Sequence, residues 1–420
     1  MDLLKIVTAG SVDDGKSTLI GRLLYETNSL KDDQIEHIEQ KSKSKGLAHF
    51  DFSLATDGLL TEREQGITID VSNIYFKTEH RRFIITDSPG HIEYTRNMVT
   101  GASNADTTII LIDARKGVVE QTIRHLYITN LIGIKKIIIA INKMDLVGYN
   151  QSIFEEIKSQ ASNLIKKSKY IPETLFFLPI SALKGDNITS TNSKMSWYNG
   201  KSLIQIIESL KVKQDNKETS AFHVQYVIRP QLEKYHDYRG FAGKIKSGEF
   251  QVGDSVQVFP SGQRSKIEKI EKYGIPIGKT VKDENASVLL IDNVDVSRGS
   301  VIIKSRKEFS ENKKLVATIC WMQNEKLEVK KKYWLQQGVQ KVLTIVDAIE
   351  SKMDFNKRKT VKTEALELND IGEITLTLAQ PIFSEPYDKN RALGAFILID
   401  QNTFNTAGVG FIRKPKPTFN

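Results

Sequence analysis

The chain has 420 residues, 40% hydrophobic, 26% charged and 8% aromatic, the balance of a globular protein of two to four domains at roughly 100–200 residues each. Its 26 glycines and 10 prolines exclude a collagenous or low-complexity chain, and its single cysteine, Cys320, excludes an intrachain disulfide framework and a cysteine-rich metal site. The net charge is +9, with the first 210 residues close to neutral and the excess in the second half. Such a basic half fits a nucleic acid, an acidic protein partner, or a lysine-rich solvated surface. No apolar run approaches the roughly 18 residues of a transmembrane helix. The start, MDLLKIVTAG, lacks the basic region of a signal peptide, so a cytoplasmic protein with no membrane association is expected.

In chain order, the apolar run LLKIVTAG predicts a strand over Leu3–Ala9, followed by a glycine-rich turn and a helix over Lys16–Leu24. Tyr25–Gly66 then breaks the rhythm. It is long, polar and charged, and a connection of that length is usually functional. IDVSNIYF reads as a strand, and RFIITDS, TTIILIDA, KIIIAIN and LFFLPISA are further β-branched runs. Longer amphipathic stretches, GVVEQTIRHLYITNLIGI and QSIFEEIKSQASNLIKKSKY, lie between the later runs. Near-continuous apolar strands with intervening helices predict a parallel sheet covered on both faces. KVKQDNKETS, residues 211–220, reads as a linker. Beyond it the pattern is all-β, with RGFAGKIKSGEFQVGDSVQVFPSG punctuated by glycines as in a small barrel. A second polar break, SRKEFSENKK, precedes another β-rich stretch from Leu315 to Ile412 without a convincing long helix.

The turn after the first strand, Gly10-Ser11-Val12-Asp13-Asp14-Gly15-Lys16-Ser17, fits G-x-x-x-x-G-K-[ST] in its required strand–turn–helix setting. Its glycines let backbone N–H groups turn inward around phosphate oxygens, and the helix N-terminus adds positive potential. Residues Gly10 to Ser17, with Thr18, therefore form the expected phosphate cradle. Lys16 would reach the β- and γ-phosphates, and Ser17 would offer its hydroxyl to Mg²⁺. Asp87-Ser88-Pro89-Gly90-His91 follows the strand RFIIT. Asp87 taken alone equally fits a helix N-cap; with the phosphate loop upstream, its expected role is to hold Mg²⁺. Gly90 would present its N–H to a γ-phosphate, and His91 would orient a water in line behind it. Thr68, in Gly66-Ile67-Thr68-Ile69, reads either as a strand threonine or, preferred here, as a second hydroxyl on Mg²⁺ that anchors the long polar segment. The expected catalytic set is thus His91, Lys16 and Thr68. Arg63 equally pairs with Glu62 or Glu64 and is left outside it, and His125 reads as structural.

Asn142-Lys143-Met144-Asp145 follows the strand KIIIAI. Asp145 can accept two hydrogen bonds from the N1–H and 2-amino edge of guanine, an edge at which adenine has the wrong polarity. Asn142 would tie this loop to the phosphate loop, and the Lys143 stem would cover the base. Ser181-Ala182-Leu183 would add a backbone N–H for the guanine oxygen. The expected ligand is therefore GTP with Mg²⁺.

With these five elements in this order, the chain resembles the translation-factor GTPases of the elongation factor Tu group. The resemblance extends through all 420 residues and implies three domains: a P-loop GTPase domain of α/β class over 1–212, followed by two all-β barrels over 220–306 and 313–416. Within that superfamily it is more similar to the large, GTP-hydrolysing subunit of two-subunit sulfate adenylyltransferase. GSVDDGKSTLIGRLLYE, with Asp14 where elongation factors typically have His, carries that likeness. So do ATDGLLTEREQGITIDV, DSPGHIEYTRNMVTGASNADTTIILIDARKGV, LNDIGEITLTLAQPIF and NRALGAFILID, with Ser88 standing where the family usually has Thr. This likeness implies a partner small subunit that makes adenylyl sulfate and pyrophosphate from ATP and sulfate, with GTP hydrolysis here pulling the reaction forward. In keeping with that division, the chain carries one nucleotide site and no second P-loop. Because the chain starts and stops almost flush with these three domains, the adenylylsulfate kinase that some relatives carry fused is not expected here, and a nucleic-acid partner is not expected either. The alternative is a translational GTPase that delivers aminoacyl-tRNA or acts on the ribosome.

Overall fold

The computed structural model describes residues 2–44, 46, 50–55, 72–88, 98–99, 105–168, 170–212, 219–230, 238–304 and 312–414. The chain divides into two compact units, one of Met1–Val212 with Phe355–Lys357, the other of Lys213–Asp354 and Arg358–Asn420.

The first unit is built on strands β1 (Leu3–Ala9), β2 (Ser72–Lys77), β3 (Arg82–Asp87), β4 (Thr107–Asp113), β5 (Lys136–Asn142) and β6 (Thr174–Pro179), in sheet order β2-β3-β1-β4-β5-β6. β4 is buried at every residue and β5 at all but Lys136, which is why both are near-continuous apolar runs. The sheet is mixed rather than all-parallel. β2 runs antiparallel to β3, because the turn between them (Thr78 N–H to Arg81 O, 2.9 Å) is too short for a crossover.

Helices α1 (Lys16–Glu26), α2 (Asp32–Ser44), α3 (Glu120–Leu131), α4 (Gln151–Lys167) and α5 (Leu203–Ser209) accompany the sheet. α4 buries Phe154, Ile157, Ala161 and Ile165, one face at three- and four-residue spacing. The Asn150 side chain starts it by accepting from Ser152 N at 2.8 Å. α2 was not legible as a helix because it buries only Ile38 and Ser42; its acidic first turn and basic last turn match the helix dipole. The core joins Leu4 and Ile6 of β1, Leu19 and Leu23 of α1, and Ile109, Ile138 and Leu178 of the central strands.

The second unit holds two closed antiparallel barrels. The first uses β7 (Ala221–Ile228), β8 (Gly240–Ser247), β9 (Glu249–Gln251), β10 (Ser255–Phe259), β11 (Arg264–Lys272), β12 (Ile275–Ile277), β13 (Lys279–Val281), β14 (Asn285–Leu290) and β15 (Val301–Lys304). Pairing of β10 with both β15 and β11 closes a six-strand ring, β10-β15-β7-β8-β14-β11. The second uses β16 (Asn312–Trp321), β17 (Lys332–Gln337), β18 (Gln340–Asp354), β19 (Lys359–Val361), β20 (Ile371–Ile382), β21 (Ala395–Asp400) and β22 (Thr406–Arg413). The β17–β18 pairing closes its ring, β17-β21-β22-β16-β20-β18. β18 is 15 residues long and bends through irregularities at Val346/Ala348 and Ile349/Ser351, which lets one strand follow a tight barrel wall. An apolar cluster of Ala221, Phe259, Val301 and Ile303 from one barrel with Phe383 and Leu393 from the other joins the two. Among the described residues, no helix is long and apolar enough to cross a membrane.

Candidate nucleotide site

The site lies at the C-terminal ends of β1, β3, β4 and β5, where a parallel sheet leaves a crevice for ligands. Between β1 and α1 the chain turns through Asp13 (φ 68°) and Gly15 (φ 91°), both in the left-handed region. Gly15 is required twice over. A Cβ there would lie 2.5 Å from Asn142 Nδ2, and its φ strains any other residue. Gly10, Asp14 and Lys16 are buried, Ser11, Val12, Gly15, Ser17 and Thr18 half-buried, and Asp13 exposed. Lys16 is folded back into its own loop, its Nζ donating to Gly10 O at 2.8 Å and Ser11 O at 3.0 Å. Burial lowers its pKa, against the attraction of Asp87, Asp14 and Asp13. A buried ammonium held, among the described residues, by carbonyl oxygens suits a polyanion. The Ser11 hydroxyl is likewise buried and without a hydrogen-bond partner among the described residues.

Asp87, 1% exposed at the end of β3, accepts from Thr8 Oγ1 at 2.9 Å. The Ser88 hydroxyl donates to the Thr8 carbonyl, which fastens the start of the following loop to β1. Thr68, Gly90 and His91 lie outside the described residues.

Asn142 links the loop after β1 to the loop after β6. Its Nδ2 donates to Asp14 O at 2.8 Å, and its Oδ1 accepts from Ala182 N at 2.9 Å. Lys143 (φ 65°) reaches the Asp13 carbonyl and lies 3.1 Å from Asp113 Oδ2. Its ammonium thus lies between the loop after β1 and the end of β4. The half-buried Asp145 carboxylate has no hydrogen-bond partner among the described residues. Ser181, Ala182 and Leu183 follow β6. Two of their three N–H groups are already used: Ser181 N donates to Asp186 O at 3.2 Å, and Ala182 N to Asn142.

The structure adds residues that motif reading missed. Asp113, at the end of β4, is buried and bonded by Arg115 Nε at 3.0 Å and Arg115 Nη2 at 2.6 Å. Burial alone would raise its pKa. The hydrogen bonds from Arg115 and Lys143 outweigh that and hold it at about 2. Tyr149 donates to Asp186 Oδ2 at 2.7 Å and so braces the loop after β6. His125 is 1% exposed on α3, and burial, with Lys16 and Arg124, pushes its pKa down to about 3. Neither Asp113 nor Tyr149 falls in a recognisable spacing, so no signal in the sequence could have found them.

Comparison with known proteins gives the family. Residues 1–229 match the elongation factor Tu GTP binding domain family, and residues 314–413 the GTP-eEF1A C-terminal domain-like family. Sulfate adenylyltransferase subunit 1 of Shewanella woodyi is 43% identical over 416 residues, 99% of this chain and 87% of that protein. The protein of the same name from Aliarcobacter butzleri is 44% identical over 98% of this chain and 87% of its own length. That of Bacteroides thetaiotaomicron is 42% identical over 98% and 86%. The chain belongs to the sulfate adenylyltransferase subunit 1 family. It is a GTP-hydrolysing enzyme subunit with an elongation factor Tu-type nucleotide domain and two barrels. The translational alternative finds no comparable support among these relatives. A solved structure of sup35 complexed with GDP aligns with 99% of this chain and 95% of its own at 21% identity and a TM-score of 0.44, too distant to bear on function.

Proposed function

We propose that this chain binds GTP with Mg²⁺ and couples its hydrolysis to formation of adenylyl sulfate and pyrophosphate from ATP and sulfate on a separate small subunit, in the cytoplasm. The observation that carries the reading is the Asn142 bridge. It holds phosphate loop and base loops together in a chain more than 40% identical, nearly end to end, to proteins named for that enzyme.

On this reading Lys16 leaves the carbonyls of Gly10 and Ser11 and moves its ammonium to the β- and γ-phosphates. The backbone of Gly10 to Thr18 wraps the phosphates, and Asp145, Lys143 and the 181–183 loop hold the guanine. Ser17, Asp87 and Thr68 are the proposed metal residues. They offer hard oxygen donors, and among the described residues no cluster of His, Cys, Asp and Glu could hold a metal by itself. That fits Mg²⁺, which keeps waters and phosphate oxygens in its shell. When bound, Mg²⁺ supplies neutralisation of phosphate charge. Gly90 is proposed to sense the γ-phosphate, and His91 to orient the attacking water. The domain limits 1–212, 220–306 and 313–416 belong to the same proposal.

The test is GTP turnover by the chain mixed with a small subunit, with and without ATP plus sulfate. Turnover is expected to rise only with all components present. A basal rate that responds instead to ribosomes and charged tRNA overturns the reading.

A further inference from the structure

The loop after β6 is gripped from two sides. Asn142 takes the Ala182 N–H on the side of the phosphate loop. On the other side stands Arg22, six residues after Lys16 on α1, a residue that no motif includes. Its Nη2 donates to Lys184 O at 3.2 Å and its Nη1 lies 3.5 Å from Leu183 O. The guanidinium is itself fixed in three ways. Nε donates to Glu26 Oε1 at 2.5 Å, the other Glu26 oxygen accepts from Thr189 Oγ1 at 2.7 Å, and the plane lies over the Phe52 ring at 4.8 Å. The loop is moulded on this pair. Gly185 has φ 82°, and a Cβ there would lie 2.1 Å from Arg22 Nη2 and 2.6 Å from Glu26 Oε1. A planar fork with several fixed donors can hold two successive carbonyls at once, which a lysine cannot.

We propose that Arg22 is a positioning residue for guanine, fixing the 181–184 loop against the phosphate-loop helix so that the backbone N–H of Leu183 meets the O6 edge of the base, the N–H groups of Ser181, Ala182 and Lys184 being already bonded within the protein. The inference rests on the guanine reading of this site. It goes further by assigning recognition of one edge to a residue on a different element from Asp145. The O6 edge then depends on Arg22, while the 2-amino edge, recognised by Asp145 after β5, does not.

The experiment compares three diphosphates by direct binding: GDP, IDP (which keeps O6 and N1–H and lacks the 2-amino group) and 2-aminopurine riboside diphosphate (which keeps the 2-amino group and lacks O6 and, with it, the N1–H). It reads the effect of each variant on each nucleotide against wild type with the same nucleotide. Wild type is expected to favour GDP over both analogues. Arg22→Ala is expected to weaken GDP and IDP about tenfold while weakening the 2-aminopurine nucleotide less than about twofold, a coupling of ordinary size. Arg22→Lys keeps the charge and the Glu26 pair but cannot span two carbonyls. It is expected to show the same pattern with a smaller loss, and it serves where the alanine variant fails to fold. Parallel losses for all three nucleotides, or no loss, overturn the role of Arg22 alone. Equal binding of GDP and the 2-aminopurine nucleotide by wild type overturns the guanine reading and the inference with it.

Discussion

Asp14 is a carboxylate 2% exposed inside a loop that reads as a phosphate cradle. It is tolerated because its Oδ2 accepts from Ser11 N at 2.6 Å, which closes the turn. Burial is the larger effect and pushes its pKa up to about 6, against that hydrogen bond and the attraction of Lys16 and Lys116. Its folded pKa lies above the unfolded one. The stability it contributes is therefore fully present below about pH 4 and is lost as the pH rises through about 6, a difference of about 3 kcal/mol for two pKa units. Asparagine keeps the acceptor for Ser11 and removes the charge. The nucleotide-free Asp14→Asn variant should therefore be more stable than wild type at pH 7.5, by up to about 3 kcal/mol, and equal to it near pH 4. Denaturant melts at the two pH values check this; a gain at pH 4 as large as that at pH 7.5 would contradict it.

At the scale of elements, the two barrels meet where β7 faces the turn between β17 and β18. His223 is 0% exposed there, and among the described residues both of its ring nitrogens lack hydrogen-bond partners. Burial, with Lys246 nearby, pushes its pKa down to about 4, so it is a neutral, packed ring. Gly338 has φ 58°, and a Cβ there would lie 2.3 Å from His223 Nδ1. Gly338→Ala therefore combines left-handed strain with a clash and should cost about 2–4 kcal/mol. His223→Ala in the same chain should return part of that loss, because it opens the space the methyl needs. Chemical denaturation of the two single variants and the double variant measures the coupling, and strict additivity would remove the contact as its cause.

For the whole molecule, the described nucleotide residues all belong to one of the two compact units. A ligand that binds only the native state stabilises by mass action, about 2.7 kcal/mol at a hundredfold excess over Kd. GTP should therefore raise the melting transition of the 1–212 unit and leave that of the barrel unit in place. Asp145→Asn should transfer the effect to xanthosine triphosphate, because the hydrogen-bond polarity at the purine 2-position is inverted. Scanning calorimetry with each nucleotide reads both outcomes. A variant that still responds to GTP alone would refute the role of Asp145, and a shift in both transitions would show that the units unfold together.

The α/β unit, the small barrel after it and the β-rich stretch that follows were legible in the sequence because burial on two faces writes continuous apolar runs and burial on one face writes alternation, while the second barrel came from the family resemblance. The phosphate loop was legible for a different reason. Its eight residues are contiguous, and backbone conformation alone makes the cradle. α2 was missed because it buries two side chains and leaves no period to read. β2 was legible as a strand, but its antiparallel direction was not, because direction is settled by the turn Thr78–Arg81 and not by the strand's own composition.

The sequence by itself determined the family, the order of sheet and barrels, and the nucleotide motifs, all of which depend on neighbouring residues. Only the tertiary structure decided how the motifs are held. Asn142 reaches Asp14 across 128 residues and Arg22 reaches Leu183 across 161. Contacts at such separations leave no spacing in a single sequence, since the sheet order and not the chain brings their partners together.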